Sequence, residues 1–470
     1  MNKAKLSFSR NQCLWIFLIT IGLMRLFFLA MYPLLDTTEA RYGEIARIMV
    51  ETNNWITPHI DYNTPFWGKP PLYVWASASS IFLFGNSEFY LRLPHFLTAV
   101  IVLILIWCFL NHLKLSRLKA TYAIAIIAST FGFLLAAGLI MTDMLLCLSM
   151  VMVMIGFWRG WHGERFYNYL MYTGLSIGLL AKGPLIIVLA GLAIFPWLLV
   201  EYGLKRMWLQ IWQRMNIFPG LLLLLLISAP WYILAEQATP GFLHYFLVGE
   251  HFQRFIDSGW TGDLYGSGHA RPRGTIWGYW FLYALPWSPY IIFGIIKYFS
   301  STKKHNNSHA ELNLFLLTWM CSPMLLFTFA GNILPAYVLP GLPAIGLLIV
   351  INYDFKKTKK NHLIFLFSPL LLLAVMVYFY LFSIDDQRSE KNLLANITDT
   401  TQQIYFYKER PFSAQYYSNG KAKLIKNLPD NNTFYLVAKK EITLDKIEQN
   451  CHRISENKKR VLYFCDKENS

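Results

Sequence analysis

Charge is what this sequence has least of. Asp, Glu, Lys and Arg together make up 15% of its 470 residues, while hydrophobic residues make up 55%. An ordinary soluble domain carries about a quarter charged residues, so a soluble enzyme is excluded, and so is an intrinsically disordered chain. Cysteine is scarce too. Six in a chain of this length do not make a disulfide-stapled secreted scaffold. There is no short repeat, which removes collagen-like fibres, and no ten-residue alternation, which argues against an outer-membrane barrel. A Walker loop, a G-x-G-x-x-G turn after a strand, an H-E-x-x-H pair and a C-x-x-C pair are all missing. With them go nucleotide hydrolysis, Rossmann cofactors and common metalloprotease chemistry.

What is present is long apolar runs. A membrane-crossing helix needs roughly 20 mainly apolar residues, and eleven runs qualify, from Trp15–Met31 and His95–Leu113 through to Ile333–Ile351 and Leu363–Phe382. The fold class expected is an all-α polytopic membrane protein of about 11–13 crossings. The stretch from Pro70 to Phe84 opens with two prolines and is broken by small polar residues, and it reads as a helix lying at the interface. Lys and Arg in short loops mark the cytoplasmic side. With the N-terminus inside, eighteen basic residues fall in the inner segments, from Lys3, Lys5 and Arg10 to the group Lys356, Lys357, Lys359 and Lys360. Much of the net charge of +15 is thus an orientation signal. The basic N-terminal run has no small-residue cleavage site after it and reads as a retained first helix.

An odd number of crossings puts residues 384–470 outside the cytoplasm. This tail holds 15 basic and 12 acidic residues, with strand-like runs at Ile404–Tyr407, Thr433–Val437 and Val461–Phe464. A small periplasmic α/β domain is expected there, after a membrane domain spanning 1–383. Cys451 and Cys465 lie in it and are placed either to pair in an oxidising compartment or to stay free.

Ionisable groups at membrane depth or at the outer ends of helices are costly, so they are the first candidates for function. The outer loop 32–94 opens with Asp36 and Glu39, three apart, ahead of Arg41, Tyr42, Glu44 and Arg47. With Thr38 as its cap, a helix over residues 39–51 would lie along the membrane surface. Asp36 or Glu39 is then either a general base with a tuned pKa, or part of an amphipathic helix whose acids pair with Arg41 and Arg47. Lys69, between prolines and aromatics, is an interfacial anchor or a holder of a lipid phosphate. Asp143 is the only acid in a long, nearly apolar stretch and is a helix cap or a site acid. Lys182, in A-K-G-P, falls on the outer side against the charge trend, which suggests an anionic ligand such as a phosphate. In the outer loop 235–274, Glu250 and Arg254 are spaced to pair on one helical face. Glu250 with His251 is a weak metal-ligand candidate.

In order along the chain, DTTEARYGEIARIMVETNNWITP, FWGKPPLYVW, FGNSEFYLRLP, MTDMLL, AKGP, HFQRF, ALPW and ILPAYVLPGLPAIGLL together resemble the polyprenyl-phosphate-dependent glycosyltransferases of the GT-C fold. The aminoarabinose lipid A transferases are nearest in pattern, and protein O-mannosyltransferases are more distant. The resemblance covers residues 36–350. It implies a bundle of membrane helices, surface helices in the first periplasmic loop, and a small soluble C-terminal domain. It also implies transfer of a sugar from an undecaprenyl-type phosphate to lipid A or another envelope glycoconjugate, at the periplasmic face of a bacterial inner membrane. Carried across residue by residue, Asp36, Glu39 and Asp143 are the catalytic acids, completed by Arg41 and Tyr42. Lys69, Lys182 and Arg254 hold the donor phosphate.

Three positions depart from the family pattern. Thr38 stands where the family motif has its Asp, Gly68 replaces a Glu that helps hold a metal, and Gly331 and Asn332 replace a Ser-Lys pair. A divalent metal is therefore left open, and the sugar need not be aminoarabinose. Two rival readings keep the same residues: a protein O-glycosyltransferase, and a transporter of polyprenyl-linked sugars.

Overall fold

The computed structural model describes residues 9–257, 260–262, 264–266, 271–300, 309–353, 373–378, 380–381, 388–399, 401–429, 433–442 and 451–466, with backbone only for 297–300. Among them, seven helices are long and apolar enough to cross a membrane. A bent pair, Thr275–Tyr283 with Ser288–Ile296, turns through 112° and makes an eighth crossing if counted as one span. The protein is a multi-pass membrane protein with a small C-terminal sheet domain.

The first ten helices are α1 (Arg10–Phe28), α2 (Thr38–Thr52), α3 (Leu72–Phe84), α4 (Glu88–His112), α5 (Arg117–Ala128), α6 (Phe131–Ala136), α7 (Thr142–Trp161), α8 (Tyr167–Lys182), α9 (Leu185–Arg214) and α10 (Ile217–Ala238). Helix α7 is the axis of the bundle, since 94% of its apolar window is buried inside the protein; α1 and α10 bury only 17% and stand at the periphery. Its sequence shows why. Met144–Val153 is apolar all round but for Ser149, the pattern of a helix enclosed by others rather than one facing lipid on one side. Expectation and structure differ in three places. The run Thr121–Leu139 breaks at Ser129 and Thr130 into α5 and α6. The span from Tyr169 to Ala181 is a helix of only 16 residues, α8. The last expected run, Leu363–Phe382, lies mostly outside the described residues.

The stretch between α1 and α4 has its own core. Tyr42, Ile45, Ala46 and Met49 of α2 pack with Phe66 and with Tyr73, Val74, Ala78 and Ile81 of α3, and Tyr416 of the C-terminal domain closes the cluster. Here the sequence reading is corrected. Helix α2 does not keep one wet, polar face, because Glu39, Glu44 and Arg47 are buried as well as its apolar residues. Its N-cap is Thr37, with no side-chain capping bond, in place of Thr38. Two short strands, β1 (His59–Asp61) and β2 (Thr64–Pro65), pair within the same stretch.

In the C-terminal domain, β3 (Ile404–Tyr407), β4 (Ala422–Ile425), β5 (Thr433–Lys439), β6 (Cys451–Glu456) and β7 (Arg460–Asp466) form one sheet in the order β4-β3-β5-β7-β6. The β3, β4 and β5 strands are parallel, while β7 and β6 run antiparallel beside them. A parallel pair needs a crossover, and helix Phe412–Tyr417 provides it between β3 and β4. That helix is the surface the domain sets against α2. Cys451 and Cys465 face each other across β6 and β7 and are joined as a disulfide.

Candidate functional site

Four separate stretches of chain bring charge to one end of the bundle: the turn before α3, the start of α7, the end of α8 and the helical run 242–256. Lys69 is placed by Pro70 and Pro71, which end the turn and start α3. Its ammonium lies 3.1 Å from Glu250, and Arg254 meets the same carboxylate at 3.0 Å. Tyr245 donates to it at 3.5 Å. One buried carboxylate is thus shared between two cations. Burial acts to raise the Glu250 carboxyl, but Lys69 and Arg254 outweigh it and hold it below its ordinary value. The helix-spaced pair expected at positions 250 and 254 is present, on a π-helical turn, Tyr245–Gln253.

The second ion pair is Lys182 with Asp143, 2.6 Å apart and both almost fully buried. Asp143 sits in the first turn of α7 after the cap residue Met141, so it is not the helix cap. Lys182 is the last residue of α8. The helix stops there because Gly183 adopts φ +81°, which favours glycine, and a Cβ at that position would come 2.6 Å from the ring of Phe246. That close approach lets His251 face the Lys182 carbonyl at 3.1 Å through Nε2 and the Phe246 carbonyl at 2.8 Å through Nδ1. The Lys182 ammonium lies 4.5 Å from the centre of the Tyr337 ring. Tyr337 also feels the charges of Lys69, Asp143, Arg254 and Glu250, so it stands between the two ion pairs. The backbone carbonyl of Arg254 accepts from Asn332 at 3.0 Å.

Arg41 reaches the same region by a different route. Its guanidinium donates to the Tyr265 carbonyl at 2.8 Å and stacks against Tyr42, Phe66 and Phe412. Tyr265 in turn packs on Phe66 and Tyr245. Gly68 fits this aromatic wall, since a Cβ there would come 2.9 Å from the Phe66 ring. Tyr42 packs on Tyr73, 4.5 Å between ring centres, on the buried side of α2.

The two acids of the first motif are engaged elsewhere. Glu39 is clamped by Arg92, both carboxylate oxygens accepting at 2.8 Å, and the remaining donors of Arg92 go to the carbonyls of Leu29, Tyr32 and Pro33. All five guanidinium N–H groups are used. Asp36 accepts from the Ser413 backbone at 3.0 Å and from the Ser413 hydroxyl. Burial pushes the Asp36 carboxyl up against these bonds. Neither acid pairs with Arg41 or Arg47. Arg47 holds Glu44 at 2.7 Å and Glu51 at 2.5 Å.

Among the described residues, no three His, Cys, Asp or Glu side chains converge as metal ligands. Glu250 is taken by its cations, and both His251 nitrogens lie on carbonyls. The donor set does not fit a metal, so no step below runs through one. Sequence reasoning missed Arg92, Ser413 and Tyr265 as organisers. Arg92 and Tyr337 had a signal, since they lie in the quoted stretches FGNSEFYLRLP and ILPAYVLPGLPAIGLL.

A family model described as dolichyl-phosphate-mannose-protein mannosyltransferase matches residues 13–246. Two curated relatives are undecaprenyl phosphate-alpha-4-amino-4-deoxy-L-arabinose arabinosyl transferases. One, from Enterobacter sp. (strain 638), is 28% identical over 351 residues, covering 71% of this chain and 58% of that protein. The other, from Aeromonas hydrophila, is 27% identical over 350 residues, covering 71% and 60%. The chain thus spans a little more than half the length of these relatives. Among solved structures, ArnT from Cupriavidus metallidurans bound to undecaprenyl phosphate superposes with a TM-score of 0.76 at 17% identity, covering 97% of this chain and 98% of that one. The chain therefore has the fold of that structure, and its N-terminal half is similar to the mannosyltransferase family model.

Proposed function

We propose that the chain is an integral-membrane glycosyltransferase, taking a sugar from a polyprenyl-phosphate donor and giving it to lipid A or another envelope glycolipid. The observation that carries the reading is the paired ion set, Lys69–Glu250–Arg254 and Lys182–Asp143, meeting at Tyr337. Three cations against two carboxylates leave a net positive site. When the bond from sugar to phosphate breaks, an oxocarbenium-like centre forms and negative charge builds on the departing phosphate. Lys69 and Arg254 are positioned to stabilise that charge, and in a site shielded from water such groups act strongly. Lys182, braced on the Tyr337 face, adds to the same field. Asp143 is the acid assigned to orient the acceptor, with Lys182 holding its carboxylate in place. A single displacement inverts the anomeric centre. Asp36, Glu39, Arg41 and Tyr42 serve by shaping the loop that carries Lys69.

The reading places the site on the periplasmic face of a bacterial inner membrane, with the N-terminus cytoplasmic and the sheet domain periplasmic. The Cys451–Cys465 disulfide supports this placement, because such bonds persist in oxidising compartments. The family model's description favours a second reading, in which the acceptor is a protein hydroxyl. The test is mass spectrometry of lipid A and of periplasmic proteins from cells with and without the chain, and with Lys69→Ala. Lys69→Ala should lower transfer by about 10²–10³-fold while the protein stays folded in the membrane. Unchanged lipid A with shifted protein masses selects the second reading, and wild-type transfer by Lys69→Ala overturns both.

A further inference from the structure

One cavity lies away from the ion set. A groove of about 480 Å³ runs between α1, α4, α5 and α6, walled by apolar side chains such as Leu18, Phe96, Leu103 and Phe133. Its size falls within the range of sites that hold small molecules. It opens sideways: Trp15, Ile19 and Ile104 on its rim are exposed, and they belong to helices that cross the membrane. The medium that reaches it is hydrocarbon. From Trp15 to Arg25 the groove follows α1 for about 15 Å at ~1.5 Å per residue, enough for much of one extended acyl chain.

Its end nearest the ion set is polar in one respect only. Arg25, 5% exposed, donates to the carbonyls of Ala137 at 2.5 Å and Leu135 at 3.3 Å, and among the described residues no carboxylate pairs with it. A guanidinium has five donors, and a buried cation without counter-charge is costly at membrane depth. The groove is therefore apolar along its length and lacks an anionic or ester oxygen at its top, which is the layout of an acylated lipid. The wall also leads to the chemistry. Ala137 is followed within six residues by Asp143, whereas the donor cations come from the turn before α3, the end of α8 and the run 242–256.

We propose that this groove seats an acyl chain of the lipid acceptor, with Arg25 meeting an ester or phosphate oxygen where the chain joins the headgroup, so that the sugar-accepting end reaches Asp143. The inference rests on the transfer reaction proposed above. Gly22 gives a clean way to block the groove. It lines the cavity, and a Cβ built on it meets nothing within 4 Å. Leucine there would start from open space and project into the groove, and leucine suits a helix better than glycine does.

The experiment uses the full chain in nanodiscs with a phosphorylated, acylated glucosamine disaccharide that carries a diazirine in one acyl chain. Illumination should label peptides from α1 and α4, Gly22→Leu should cut the label roughly tenfold, and Lys69→Ala should leave it. In turnover, Gly22→Leu and Arg25→Gln should raise the acceptor KM roughly tenfold with the donor KM unmoved. Equal labelling of the groove by a diazirine phosphatidylethanolamine, or preferential labelling by a diazirine polyprenyl phosphate, overturns the proposal, as does a label indifferent to Gly22→Leu. Labelling is read without turnover. A wild-type chain that transfers no sugar would therefore sink the reaction while the groove is still decided by its label.

Discussion

Two pairs of carboxylates lie toward one end of the bundle, and they are held in opposite ways. Asp36 and Glu39 open the first loop and are spent on architecture: Glu39 saturates Arg92, and Asp36 saturates Ser413. Glu250 and Asp143 come from distant parts of the chain, and each is held by a lysine, Lys69 for the first and Lys182, packed on the Tyr337 ring, for the second. The difference teaches that proximity in sequence is weak evidence of a site. A carboxylate bonded by an arginine whose five donors are all used cannot release that partner without leaving a buried charge alone. A carboxylate paired with a flexible ammonium can exchange it for a phosphate.

The sharpest way to break this contrast is to remove Arg92. Arg92→Ala should cost about 3–5 kcal/mol of stability, because it strands Glu39 in a buried position, and thermal unfolding in detergent would read the loss. Glu39→Gln with Arg92→Met should recover much of it. If Arg92→Ala instead kept its melting temperature, the structural role of Glu39 would be wrong.

Next in size is the latch between loop and sheet domain. Asp36→Ala and Ser413→Ala should each weaken docking of the C-terminal domain by about 1–3 kcal/mol, seen as faster proteolysis of that domain. Their effects on transfer should match. Loss of transfer in Asp36→Ala with full transfer in Ser413→Ala would return Asp36 to the chemistry and erase the contrast.

The smallest effect is in pH. Glu250 lies below its ordinary value of 4.5 in the folded protein. Its stabilising contribution is full above that value and is lost as pH falls through the lower, folded one. Asp36 lies above its ordinary value of 3.8, so its contribution is full below that value and is lost as pH rises through the higher one. Melting curves of wild type against Glu250→Gln and Asp36→Asn should therefore diverge with opposite slopes against pH. Slopes of the same sign would show that the two carboxylates share one environment.

Much of the fold was legible because hydrocarbon imposes strict rules. Backbone groups without water must close their own hydrogen bonds, so apolar runs become helices, and α7 and α10 follow their runs closely, while α1 and α4 begin several residues ahead of theirs. The expected helix pair at residues 250 and 254 and the outlying cation Lys182 were legible for the same reason, since an unusual charge in an apolar setting stands out. What did not show was partnership. Nothing local says that Ser413 faces Asp36 from 377 residues away, or that Arg92 spends every donor on the first loop. Helix α2 reads as amphipathic because its second covering layer, the helix Phe412–Tyr417, comes from the far end of the chain.

The sequence by itself determined that the chain crosses a membrane repeatedly and ends in a small sheet domain, because periodicity and apolar length are local properties. It also named nearly every ion that matters, since charge is scarce enough here to be conspicuous. Only the tertiary structure decided which carboxylate meets which cation, because a buried charge is fixed by whatever partner the packing brings within about 3 Å, and that distance is not written in the order of residues.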